Sequence, residues 1–215
     1  MRIDSRTCWI WLVAGVMGAW GASPVDESKP YGRVCIGVVT GEKEEPLQGQ
    51  FKPGADTFIV AHADATEHCQ MLLFALNVRD GKLAHDWRPQ FVELPPWEEV
   101  LLPEAPVVWK WSTNCGPVDV YVLFLDANSK DARELKVLVT AMLNLNVERT
   151  LLDRQSVKLR ELATRSGGEI PKVVKARSVE VGATYRGGTF PWHNYASRTN
   201  FSEAKPSLLI FRIGD

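Results

Sequence analysis

The sequence predicts a mainly β fold of the α+β class: a β-sandwich with an antiparallel helical pair inserted in it or appended to it. Three observations predict this. Short runs rich in Val, Ile, Leu and aromatic residues recur from residue 33 to residue 125, divided by Gly, Pro and charged turns. Between residues 126 and 165 the apolar spacing changes to that of helices, and after Pro171 the strand pattern returns. The chain has 215 residues, 45% hydrophobic and 24% charged, which suffices for a sizeable core and excludes a disordered tail, a collagen and a polytopic membrane protein. With 25 Lys and Arg against 26 Asp and Glu, the formal charge of -1 creates no global field to recruit nucleic acid or an anionic membrane.

Residues 1–21 read as a signal peptide. Arg2 and Arg6 precede an uncharged stretch, residues 7–21, that is too short to span a bilayer comfortably, and Ala19 and Gly21 are the small residues a signal peptidase checks. An uncleaved anchor is the alternative, since Asp4 weakens the positive start. No Cys follows the apolar stretch, so there is no lipoprotein cleavage box. The predicted location is periplasmic or secreted, with no stable membrane insertion after cleavage. Cys8 falls in the signal, leaving Cys35, Cys69 and Cys115. One bridge and one buried thiol is the simplest arrangement in an oxidising compartment, and Cys69 and Cys115, each next to a strand candidate, are the expected pair; three unpaired buried thiols are the alternative.

Residues 22–30 form a polar leader, and residues 31–126 form the sandwich domain. Residues 33–40 are β-branched and end at Gly41, a first strand; the charged stretch 41–50, broken by Pro46, reads as a solvated loop. Residues 57–63 and 69–78 are strand candidates. The second is apolar on both faces, which suits the middle of a sandwich better than an exposed edge. Asp80-Gly81 is a tight-turn signal that should reverse the chain into residues 83–87. Short apolar pieces at 91–94, 99–102 and 106–111 lie between prolines that forbid a long helix, and residues 118–125 alternate as a clear strand. Residues 127–168 form the helical pair: Ser129 or Asp131 caps a first helix carrying Leu135, Val137, Leu138, Met142 and Leu143, and residues 148–165 repeat the pattern with Leu151, Leu152, Val157, Leu159 and Leu162 before Gly167-Gly168 stops it. Residues 169–215 return to the sheet through strands at 178–186 and 207–213.

Few residues combine into recognisable chemistry. There is no Gly-x-Ser-x-Gly elbow, His-Glu-x-x-His, phosphate loop or Gly-x-Gly-x-x-Gly, and no cofactor is implied. His62, Asp64 and His68 are metal-ligand types within one short segment, where His62 and Asp64 would share a strand face; a polar bend at a strand junction is the plainer reading. Outside that bend only His85 and His193 could serve as a base, and Glu93, Glu98 and Glu99 near Pro95-Pro96 read as a solvated face, with a hydrolytic pair as the alternative. Trp109 and Trp111 share a face, and the segment from Tyr185 to Tyr195 gathers aromatics, Arg186 and His193 around Gly187-Gly188 and Pro191. Arg186, Trp192, His193 and Tyr195 are therefore the expected ligand-binding residues, suited to a sugar, a peptide or a peptidoglycan fragment. The competing reading puts Trp109, Trp111 and Trp192 in the core and makes the loop a lid.

Residues 51–131 carry a resemblance. Phe51-Lys-Pro-Gly54, the strand from Met71 to Val78 running into Asp80-Gly81, Trp87-Arg-Pro89, Leu102-Pro103 and the run from Gly116 to Phe124 together resemble the bacterial domain of unknown function in the family numbered 4384. Its members occur in exported or envelope proteins and beside caspase-like peptidases and protein kinases. The resemblance implies a small accessory β domain and carries over no catalytic residues. The expected function is thus a non-enzymatic, exported accessory or binding domain whose partner is an envelope protein or glycan. The alternatives are a periplasmic hydrolase with a site near His193 or His85, and a metal-binding module at His62, Asp64 and His68.

Overall fold

The computed structural model describes residues 25–47, 57–84, 87–104, 107–111, 116–143, 148–166, 173–174 and 191–214. Two sheets are packed face to face, with a helical pair on the outer side of the second. In the first sheet, β1 (Tyr31–Thr40) pairs antiparallel along nearly its whole length with β3 (Thr57–Ala65). The other edge of β1 is shared by β2 (Lys43–Pro46) and β10 (Ser197–Asn200), and that of β3 by β6 (Val100–Leu102) and β7 (Trp109–Lys110). The second sheet runs β5 (Gln90–Leu94), β4 (Cys69–Asn77), β8 (Val118–Asp126), β11 (Ser207–Ile213) and β9 (Val173–Val174). Its strands pair antiparallel except β9, which is parallel to β11.

Alternation along the strands builds two cores. Val34, Ile36, Val38, Ile59, Ala61 and Ala63 of the first sheet meet Met71, Leu73, Val120, Val122 and Phe124 of the second. The opposite face of the second sheet is equally apolar because it is a middle layer: Leu72, Phe74, Leu123, Leu125, Leu208 and Ile210 pack under α1 (Lys130–Leu143) and α2 (Arg149–Ser166). The two-faced run at 69–78 is thus a central strand, as its composition predicts. Ser129 caps α1 by accepting the Ala132 N–H at 3.1 Å, and Arg88 donates to the Met142 carbonyl at the other end, also at 3.1 Å. Arg165, near the end of α2, lies 3.3 Å from Glu134 and 3.9 Å from Asp131 in α1, so the helices are antiparallel. Leu135, Leu138 and Met142 face the sheet, whereas Val137, which lies among them in sequence, is 73% exposed.

Trp87, Trp109 and Trp111 fill the sandwich core. The first two stack with centroids 5.1 Å apart and planes 3° apart, and Trp111 meets Trp87 edge-on at 6.1 Å. The core reading of Trp109 and Trp111 therefore holds, but Trp192 is buried elsewhere, on the outer face of the first sheet beside Cys35.

Four expectations need correction or redrawing. The charged stretch after Gly41 is not all solvated loop: Lys43–Pro46 folds back as β2, an edge strand whose charges and proline cost little there. The chain reverses at Asp80-Gly81, where Gly81 takes a φ of 68°, but it continues as a single bridge between Leu76 and Leu83 instead of a strand. The strand expected at 178–186 lies outside the described residues, while β9 and β10 add pairings the sequence did not signal. Finally, Cys69 is a free, buried thiol, not half of a bridge. Cys115 lies outside the described residues. Residues 1–24 are outside the described set; among the described residues no helix is long and apolar enough to cross a membrane.

Candidate functional site

The outer face of the first sheet carries a buried polar cluster under an aromatic cover. The parity that sends Val34, Ile36 and Val38 inward sends Arg33, Cys35 and Gly37 outward, and His62 and Asp64 emerge beside them from β3. Arg33 grips Asp64 with two hydrogen bonds: Nε donates to Oδ1 at 2.7 Å and Nη2 to Oδ2. Asp64 is almost wholly buried, and its bond holds the Arg33 proton more tightly than usual despite partial burial.

Both ring nitrogens of His62 meet carboxylates, Nδ1 to Glu99 Oε1 at 2.6 Å and Nε2 to Glu44 Oε1 at 2.5 Å. Burial alone would favour the neutral ring, but the hydrogen bonds and charges of Glu44 and Glu99 outweigh it and raise the His62 pKa above its ordinary value. Burial likewise works against the Glu99 carboxylate, yet His62, the Trp192 indole N–H and nearby His193 hold its pKa below the usual value. That buried indole N–H acts on Glu99 as a hydrogen-bonding dipole, although its geometry falls short of a full hydrogen bond.

Glu44 reaches His62 because Gly37 leaves room. A Cβ at position 37 would sit 2.6 Å from Glu44 Oε1 and 2.9 Å from Val60 Cγ2. Gly37→Ala should therefore cost about 1 to 3 kcal/mol and push Glu44 off the ring; urea unfolding that shows no loss would mean that the sheet face has more slack than these distances allow.

A short 3-10 turn, Trp192–Asn194, covers this cluster. The Trp192 ring stacks over His62 at 5.8 Å with planes 20° apart, and exposed His193 lies against it at 3.9 Å. Arg33 is held between two rings, its guanidinium carbon 5.8 Å from the Trp192 ring and 5.9 Å from that of Trp97. Trp97 is 62% exposed, meets Tyr31 edge-on at 6.4 Å and adopts a φ of 63°. For a bulky L-residue that left-handed conformation costs about 1 to 2 kcal/mol. Burial and the Glu44 charge push the Cys35 thiol up to about 12, leaving it unreactive under the cover.

Of the expected binding residues, Trp192 and His193 lie in this cover, and half-buried Tyr195 packs at its edge. Arg186 and His85 lie outside the described residues. His62 and Asp64 share a face as their spacing requires, but they and His68 do not form a ligand set. Arg33 occupies Asp64, two carboxylates occupy His62, and His68 sits at the start of β4, exposed and 4.0 Å from Glu93. No group of three or more potential ligands among the described residues is arranged to hold a metal. Glu99 is not part of a purely solvated face, since it reaches His62; Arg33, Glu44 and Trp97 were not anticipated, and Gly37 within a strand and Pro95-Pro96 before Trp97 are the signals that could have found two of them. Compared with known proteins, the chain matches no family model, no curated protein and no solved structure.

Proposed function

We propose that this chain is an exported, non-enzymatic accessory domain of the bacterial envelope, and that it binds an envelope glycan on the outer face of its first sheet. The binding platform is Trp97, with Arg33 behind it and Trp192 and His193 alongside. The observation that carries this reading is the state of Trp97, a large indole held mostly in water on a strained backbone. Its ring touches Tyr31 and Arg33 at its edges while most of it faces water, and strain kept at an exposed aromatic is characteristic of residues retained for contact. An indole face suits the C–H face of a sugar ring, and the carboxylates of Glu98 and Glu99 beside it can accept from sugar hydroxyls. The signal-like start of the chain and the resemblance of residues 51–131 to an envelope accessory family support the location and the class.

Cosedimentation with purified peptidoglycan sacculi tests the proposal. The parent protein should be retained, and Trp97→Gly should lose retention while its stability stays level or rises by about 1 kcal/mol, because glycine relieves the backbone. A parent protein left in the supernatant, or a Trp97→Gly variant that sediments with the sacculi, overturns the glycan reading. Retention by an envelope protein in place of sacculi would replace the ligand with a protein.

A further inference from the structure

We propose that the Trp192–Asn194 turn is a cover latched by one proton, held on His62 between Glu44 and Glu99, and that loss of this proton to solvent releases the cover. The inference concerns the free protein; only its consequence, a changed presentation of Trp192 and His193, rests on the binding reading above.

The geometry is that of a clasp. An imidazolium donates from both nitrogens, and here each nitrogen has a carboxylate within 2.6 Å on opposite sides of the ring. A neutral imidazole has one N–H and one lone pair, so on deprotonation one carboxylate must face a lone pair across a hydrogen-bond distance. It then repels both that nitrogen and the other carboxylate. Glu44 keeps 24% of its side chain exposed against 42% for Glu99, which lies in the segment just before β6, so Glu99 is the group freer to swing away. Its departure removes the charge beside the buried Trp192 N–H and beside His193, both of which belong to the cover.

Among the described residues, the other groups around His62 do not substitute for the proton. From β1 come Arg33, already committed to Asp64 of β3, and Cys35, whose thiol stays protonated. The turn contributes His193, and half-buried Tyr195 follows it. The balance runs as linkage requires. The folded state binds this proton more tightly than the unfolded chain, so the stabilisation is complete below the ordinary histidine value of 6.5 and disappears as pH rises through the higher folded value.

Nitrogen-15 labelling of tryptophan, with the Trp192 indole signal assigned by Trp192→Phe, tests the latch in the absence of any glycan. Between about pH 5 and 9 the Trp192 signal should move or broaden in one step, with a midpoint above 6.5 that coincides with the His62 ring titration. His62→Gln should abolish the step, and Glu44→Gln should lower its midpoint while leaving the ring in place. Should His62→Gln not fold, the downward shift in Glu44→Gln carries the test alone. A Trp192 signal that stays flat while His62 titrates, an unchanged step in His62→Gln, or an unmoved midpoint in Glu44→Gln overturns the proposal. Because sacculi play no part, failure here leaves the glycan reading standing, and failure to bind sacculi leaves the latch standing.

Discussion

Replacing Arg33 by Met should cost about 3 to 5 kcal/mol of stability, because it leaves the Asp64 carboxylate buried without its counter-charge. Asp64 keeps only 3% of its side chain in contact with water, and both of its oxygens are bonded to the Arg33 guanidinium. Solvent therefore cannot replace the lost cation. The variant also loses the cation between the Trp97 and Trp192 rings, which loosens the cover. A paired change separates these effects. Arg33→Met with Asp64→Leu removes both charges and should regain most of the loss, since a buried ion pair is worth little against well-packed apolar side chains. Urea unfolding of the two single variants and the double variant measures the cycle. A single Arg33→Met loss below about 1 kcal/mol would show that Asp64 is hydrated or paired elsewhere.

Trp87→Ala should be comparably damaging, at about 3 to 5 kcal/mol. Trp87 is fully buried, stacked on Trp109, and the two indoles are cross-tied. The Trp87 N–H donates to the Lys110 carbonyl at 2.9 Å, and the Trp109 N–H donates to the Arg88 carbonyl at 3.3 Å. Each ring thus satisfies a backbone group next to the other, and the pair fastens the irregular segment before β5 to the short strand β7. Alanine opens a cavity and removes the indole donor at once. Trp87→Phe keeps most of the stack and should cost less, about 1 to 3 kcal/mol for the lost indole N–H donor. Equal losses for the two variants would show that the hydrogen bond, not the ring volume, carries the effect.

The strands and helices were legible where burial imposes a period on the chain. Residues 69–78 and 118–125 show it most clearly, because each lies between two apolar layers and no register slip is tolerated. The helices were legible from apolar spacing and the Ser129 cap, although Val137 shows that spacing alone cannot say which edge of the stripe meets the sheet. The site was only half legible. Trp192, His193 and Tyr195 announced themselves by sitting in a segment that strands cannot accommodate, and His62 and Asp64 by residue type. Their partners are set by tertiary folding: Glu44 and Glu99 lie 18 and 37 residues from His62, and Arg33 lies 31 from Asp64. No local pattern encodes such distances. Glu44 was further hidden because a charged edge strand is held by backbone pairing and reads as loop. Pairing of cysteines was no more legible: nearness to strand ends says nothing about which ends meet, and Cys69 is a free, buried thiol.

The pairing of β1 with β10, and of β8 with β11, sets a schedule as well as a shape. Residues 31–34 wait for residues 197–200, and residues 118–124 wait for residues 207–213. Contacts so distant along the chain make β-rich domains slow to fold, on the order of milliseconds to seconds. At about 5 to 20 residues per second of synthesis, the early strands spend many seconds in being before their neighbours exist. Through that interval each sheet lacks a strand that the finished fold supplies, β10 in the first and β11 in the second.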